Sequence, residues 1–411
     1  MLASVVLLYA SCAKRRTSSP RTYGSRAPLA PIRRAIAADA GWVNTAGGPM
    51  GMPPLVAVTH SRLIAEQDFA PRLLACAELL LTNGADANCA WTNPKSPDPP
   101  QSALYGAAGR THNAAMTTLL LAAGANPDDE ESLYHSVETS DSTCMRLLLR
   151  AGARVTGTNA LGRVLDFDRL DDLDFMLQHG GDPNERPWVH HAILRGRSMD
   201  HIRALVDAGA DVRTVDADGV SLYRCAQAHG RPDVVAMLVA AGVEEPLSEE
   251  EQFVGACARG DEAAARGIAA RIPDILTRLS AKQLQTMPEL AAIGNLIGVR
   301  TMLALGWPLE VKSAWDATAL NHAVFFGDAA ITELLLAHGA DWRARHAYRD
   351  NVMGTLSFAS QDEVMDPPTP RDHVACARVL LAHGMPLPDG RQYTFSTDVT
   401  EFFDAQRGEA G

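Results

Sequence analysis

A phrase that keeps returning does most to constrain how this chain can fold. NGADAN closes one segment at Asn83–Asn88, AGANPD another at Ala123–Asp128, HGGDPN a third at His179–Asn184, and HGADWR a later one at His338–Arg343. Each contains the glycine that ends an LLxxG-like run, and such glycines fall at Gly41, Gly84, Gly124, Gly152, Gly180, Gly209, Gly242, Gly306, Gly339 and Gly384. The spacing is 33 residues from Gly209 to Gly242 and again from Gly306 to Gly339. The step of 64 between Gly242 and Gly306 reads as two units, with the missing glycine expected near Ile272. About eleven units with a basic period close to 33 follow from this ruler.

Each unit divides into two helical halves. In 318–341, TALNHAVFFGDAAITELLLAHGAD, Leu320 and Ala323 set an i, i+3 apolar stripe that Gly327 interrupts. A second stripe runs through Ile331, Leu334, Leu335 and Leu336 to Gly339, where a left-handed C-cap is expected. A similar interrupting glycine stands before Gly209, Gly242 and Gly306, at Gly196, Gly230 and Gly294. One such helix pair cannot bury its own apolar face, so neighbouring copies must supply the other wall. The expected fold class is therefore all-α, a solenoid of helix-turn-helix repeats joined by short β-turn fingers.

On these residues the chain resembles the ankyrin-repeat family, over roughly residues 31–385. Asp216, Gly219, Ser221 and Ala226 lead to Gly242, and Thr318, Leu320 and Ala323 lead to Gly339-Ala340-Asp341. The family's T-P-L-H tetrapeptide is absent, with TALN, PPLV and SALY in its place. The units ending at Gly152, Gly180 and Gly209 are short, which predicts reduced fingers. Extra length at 59–70, 90–101 and 361–371 reads as loop, the last two being proline-rich. The tail, 386–411, reads as a cap whose TEFFDAQRG helix covers the last apolar face.

Composition narrows the function classes. The net charge is −12, yet the charged residues of 1–38 are all basic: Lys14, Arg15, Arg16, Arg21, Arg26, Arg33 and Arg34. The rest carries 30 Lys and Arg against 49 Asp and Glu, a balance that repels phosphate backbones and argues against nucleic acid. No apolar run reaches the roughly 18–20 residues that span a bilayer. Residues 1–30 read as a disordered basic leader, with an export signal as the alternative. Seven scattered cysteines without a CxxC pair suit a reducing, cytoplasmic setting and indicate neither zinc nor a disulfide framework.

Chemistry is sparse. Nucleophile elbow, Walker loop and HExxH are all missing from the sequence. His190, His191, Asp200 and His201 are the densest group of metal-ligating types, but adjacent histidines diverge on a helix, and capping or surface roles fit better. His179, His338 and His383 stand just before closing glycines, where a side chain can bond the helix end. No cofactor is expected, and an enzyme reading stands last.

The repeat register, taken with the family resemblance, implies which residues face a partner. Trp315, Asp316, Phe325 and Phe326 belong to one unit, and Tyr348, Asp350 and Phe358 to the next, in a chain only 6% aromatic. Trp91, in the 90–101 finger, is a second candidate. The nearby acids Asp316, Asp328, Asp341 and Asp350 predict a protein partner that is neutral or basic where it touches. The expected molecule is a monomeric, non-enzymatic interaction scaffold. A regulatory subunit or inhibitor masking a basic enzyme or toxin is one alternative, and an exported or envelope-anchored protein another.

Overall fold

The computed structural model describes residues 29–93, 99–361, 371–389 and 392–409. Residues 1–28 of the leader expected at 1–30, the middle of the 90–101 finger and most of the 361–371 loop lie outside the described residues. The chain forms two compact units, one of residues 1–163 with 178–181 and one of 164–177 with 182–411.

The first unit begins with the helix Leu29–Ala38 and continues in helix pairs. These are Pro54–Thr59 with Ala70–Thr82, Ala103–Tyr105 (extended by one π-turn) with Ala114–Ala122, and Ser132–His135 with Thr143–Arg150. The pair Ala160–Asp166 and Leu170–Gln178 is divided between the two units. In the second unit the pairs are Trp188–Leu194 with Met199–Asp207, Leu222–Ala228 with Pro232–Ala240, and Glu249–Ala258 with Glu262–Arg271. Thr286–Ala292 with Leu296–Ala304, Ala319–Phe325 with Ala329–Ala337, and Val352–Gln361 with His373–Ala382 follow, and the helix Thr397–Glu409 ends the described chain. The protein is an all-α repeat structure, as the periodicity predicts.

The turn inside each pair shows why the sequence folds this way. Gly260, Gly294 and Gly327 have φ of +74°, +74° and +69°, which ends the first helix. The next residue, Asp261, Asn295 or Asp328, then accepts the backbone N–H three residues on and starts the second helix. Where the glycine is missing, His112 and Asp168 hold the same left-handed position, φ +47° and +56°. Both belong to the few residue types that tolerate it.

The closing glycines from Gly84 onward are left-handed, but Gly41 is not. It lies in a short 3-10 helix, Ala40–Asn44, with its N–H held by Asp39 Oδ1 at 2.9 Å. At Ile272, where no glycine stands, the chain leaves its helix extended (φ −127°, ψ 81°) and adds two short helices, Ile275–Arg278 and Ala281–Leu284.

Adjacent closing turns are clipped together by side chains. Asn44 Nδ2 donates to the Gly84 carbonyl at 2.8 Å while its Oδ1 accepts the Asp86 N–H at 2.8 Å. Asn88 makes the same two bonds to Gly124 and Asn126 (3.1 and 2.7 Å), and Asn184 to Gly209 and Asp211 (2.9 and 2.7 Å). One amide therefore satisfies both a helix-end carbonyl and a loop N–H of the next unit.

The 90–101 finger is more ordered at its base than a loop. Strands β1, Ala90–Trp91, and β2, Gln101–Ser102, pair antiparallel in the register Ala90 to Ser102 and Trp91 to Gln101. In the second unit a core runs from Phe253 through Trp307, Leu335 and Cys376 to Val399 and Phe403 of the last helix.

Candidate functional site

The helix Ala319–Phe325 is set by a capping box. Thr318 Oγ1 accepts the Asn321 N–H, and Asn321 Oδ1 accepts the Thr318 N–H at 3.2 Å. Asn321 Nδ2 then reaches Thr355 Oγ1 at 3.2 Å, which ties this helix to Val352–Gln361 of the next repeat. Between the two lies a groove of about 640 Å³, lined by Trp315, Phe325, His346, Tyr348, Asp350 and Phe358 together with Gly354 and Thr355.

Trp315 has φ +47° and ψ +32°, and Asp316 follows at φ +55°. Two successive left-handed residues, one of them a tryptophan, cost on the order of 1–2 kcal/mol each in backbone strain. The surroundings hold the turn in place. The Ala347 N–H donates to the Trp315 carbonyl at 3.0 Å, and the indole packs on His322, Phe325 and His346 at ring separations of 5.1, 5.6 and 5.2 Å. Phe325 stacks on Phe358 at 6.3 Å. The next finger is folded by His346, whose N–H donates to the Asp350 carbonyl at 3.0 Å and whose Nδ1 accepts the Tyr348 N–H at 3.3 Å.

The imidazoles of this wall are uncharged at neutral pH. Burial pushes His322 down to about 4, and burial also lowers His346. Among the described residues Asp350 is the one carboxylate lining the groove, and it is fixed. Its Oδ1 accepts the Tyr393 hydroxyl at 2.9 Å and the Asn351 N–H at 2.8 Å. Burial and this bond raise the Tyr393 phenol to about 12.

Five of the expected contact residues line the groove: Trp315, Phe325, Tyr348, Asp350 and Phe358. Asp316 is exposed on the same turn as Trp315. Tyr348 and Phe358 are 78% and 53% exposed, unusual for large aromatics. Two residues fall elsewhere. Phe326 is 8% exposed and packs under Phe325, and Trp91 is 8% exposed with its Nε1 donating to the Met50 carbonyl at 2.8 Å. Both are interior residues, because a large ring beside a repeat junction is drawn into the core.

Asp328 and Asp341 have structural tasks, a helix N-cap and a turn bond to the Arg343 N–H. Arg343, Arg345 and Arg349 share the finger with Tyr348, and none lines the groove. His346 was missed by the sequence reading. Its position, two residues before Tyr348 in a finger, was the only signal.

The histidine cluster at 190–201 diverges. His190 Nε2 meets the Val220 carbonyl at 3.1 Å, His191 pairs with Asp166 at 2.9 Å, and His201 with Ser198 at 2.9 Å. His338 bonds the helix end at the Leu334 carbonyl (2.8 Å), whereas His383 reaches Glu333 instead, at 3.0 Å. Among the described residues no group of three or more His, Cys, Asp or Glu is placed to hold a metal.

A second cavity, about 410 Å³, is lined by a buried polar cluster. His229 sits between the Cys225 carbonyl (Nδ1, 2.9 Å) and the Glu289 carboxylate (Nε2, 3.1 Å), and Lys282 reaches Glu289 at 3.1 Å. Both partners of the ring accept, so both nitrogens donate and His229 is an imidazolium. Burial by itself would lower its pKa; Cys225 and Glu289 together raise it to about 10. Cys225 lies 3.8 Å from Nδ1, but that nitrogen holds a proton and has no lone pair with which to activate a thiol. The cluster is a structural ion pair.

The architecture and the groove define a class: an all-α helix-pair repeat protein with an aromatic surface cleft. No family model and no curated protein matches the chain. Among solved structures, the ankyrin repeat domain of human ASB11 is similar at a TM-score of 0.26 and 18% identity, covering 56% of this chain and 99% of that one. At that score the likeness adds nothing to the architecture visible in the chain itself. Among the described residues no helix is long and apolar enough to cross a membrane.

Proposed function

We propose that this chain is a non-enzymatic, ankyrin-like interaction protein that binds a partner protein through the groove of Trp315, Phe325, Tyr348, Asp350 and Phe358. The observation that carries the reading is the exposure of Tyr348 and Phe358 beside a strained Trp315, in a chain with few aromatics. Exposed rings cost solubility and packing, and the strained turn costs backbone energy, so their coincidence favours a surface kept for contact. Binding here means burial of aromatic faces in a partner's complementary surface, with no bond made or broken.

The test is capture of partners from lysate by the wild-type chain and by a Tyr348→Ala/Phe358→Ala variant, with Met50→Ala as a surface control. Both altered rings are exposed, so circular dichroism and melting should match wild type. A protein retained by wild type and the control, and lost by the double variant, supports the groove as the contact. Equal retention by all three sinks it.

A further inference from the structure

The groove has an unusual chemical balance. Its walls are aromatic faces, and among the described residues one carboxylate lines it, without an ion-pair partner, and no basic side chain does. Trp315, Phe325 and Phe358 form a run of ring contacts at 5.6 and 6.3 Å, with interplanar angles of 49° and 21°. Tyr348 meets the ring of His346 at 5.9 Å, and no ring contact joins it to Trp315, Phe325 or Phe358 among the described residues. Space therefore remains between the tyrosine and the other aromatic faces. Such faces present negative charge to a cation held near them.

Counting acceptors selects the kind of cation. Asp350 Oδ1 already accepts two bonds, which leaves Oδ2 and the Tyr348 hydroxyl as acceptors. Thr355 Oγ1 accepts Asn321 Nδ2–H, and His346 Nδ1 accepts the Tyr348 N–H. An ammonium with three N–H groups, or a guanidinium with five, would bring more donors than the groove can satisfy, at a desolvation cost. A methylated ammonium carries charge with one N–H or none. Its methyl groups suit aromatic faces, and Asp350 supplies the countercharge. The neutral imidazoles of His322 and His346 add no repulsion.

We infer that the groove is a cage for a methylated ammonium, occupied by a di- or trimethylated lysine side chain of the partner protein. This rests on the reading of the groove as a protein-binding site and names what the partner inserts.

The experiment uses the full chain with its tryptophan indoles labelled by ¹⁵N, titrated with Nα-acetyl-trimethyl-lysine amide. The same titration is run with the dimethylated and unmethylated forms, with choline, and with the neutral isostere in which a tert-butyl group replaces trimethylammonium. The expected result is a saturable shift of the Trp315 Nε1–H signal with the two methylated forms, about tenfold weaker affinity for unmethylated lysine, and a similar loss for the isostere. Tyr348→Leu and Asp350→Asn should each weaken binding, while Tyr393→Phe, which keeps the carboxylate, should not abolish it.

Equal binding of the isostere or of unmethylated lysine overturns the cage and leaves an apolar anchor pocket, so the partner-binding reading would stand without it. Choline binding as tightly as trimethyl-lysine overturns the side-chain occupant in favour of a small quaternary ammonium. No binding by any probe overturns the cage. Whether the wider reading falls with it is then decided by the capture experiment with Tyr348→Ala/Phe358→Ala.

Discussion

The buried cluster of His229 with Cys225 and Glu289 makes a quantitative claim about stability. His229 is 5% exposed, and its pKa rises from an ordinary 6.5 to about 10. A group whose folded-state pKa is raised contributes stability that is full below its unfolded value and is lost as pH rises toward the folded one. For His229 that loss begins near pH 6.5 and is complete near 10. At about 1.4 kcal/mol per unit, the whole shift has a ceiling of about 5 kcal/mol. About 2 kcal/mol of it should disappear between pH 6.5 and 8.5. The measurement is urea unfolding of wild type and His229→Gln across that range, followed by tryptophan fluorescence.

The other histidines titrate alike in both proteins and cancel in the difference. Thiol ionisation in the unfolded chain begins inside the window and cancels in the same way, although burial pushes Cys257 and Cys376 up to about 12 in the folded state. Wild type should lead by about 3 kcal/mol at pH 6.5, the usual scale for breaking a buried pair, and by about 2 kcal/mol less at pH 8.5. A difference that stays flat across the window would refute the imidazolium, and with it the proton count at both ring nitrogens.

Gly327→Ala should destabilise by more than about 2 kcal/mol, since its Cβ would lie 2.8 Å from the Asp372 nitrogen at a φ of +69°. Gly339→Ala, where a Cβ meets open space, should cost only the left-handed backbone, about 1 kcal/mol, and paired thermal melts check the contrast. Phe403→Ala removes a ring that is 1% exposed under the last helix and should cost about 3–5 kcal/mol by urea unfolding. Asn184→Ala should cost about 1–2 kcal/mol and speed hydrogen exchange at the Asp211 N–H, the donor its Oδ1 holds.

The helix pairs were legible because the information is local. A left-handed glycine, a capping Asp or Asn, and an apolar stripe all lie within one unit, so a one-dimensional reading finds them. The substitution of His112 and Asp168 for glycine was harder to see, since αL tolerance is a matter of degree among residue types. Burial of Trp91 and Phe326 was not legible. A ring on a finger or at a helix end points inward or outward according to what the next repeat offers, and no pattern within its own unit records that. The residues lining the groove were singled out through the repeat register, the family resemblance and composition, yet their chemistry was not legible. That Asp350 is tied to Tyr393, 43 residues later, depends on where the tail returns.

The asparagine clips bear on how a chain like this can change length. The side-chain amides of Asn44, Asn88 and Asn184 bond to main-chain atoms of the following unit. A fastener that reads backbone asks nothing of its neighbour's side chains beyond a closing turn of the right shape. A unit could therefore be duplicated, deleted or exchanged without a matching change at the clip, while its fingers drifted toward new surfaces. Units of 28 and 29 residues stand beside units of 33 in the same chain, the irregular record such a tolerant joint would leave.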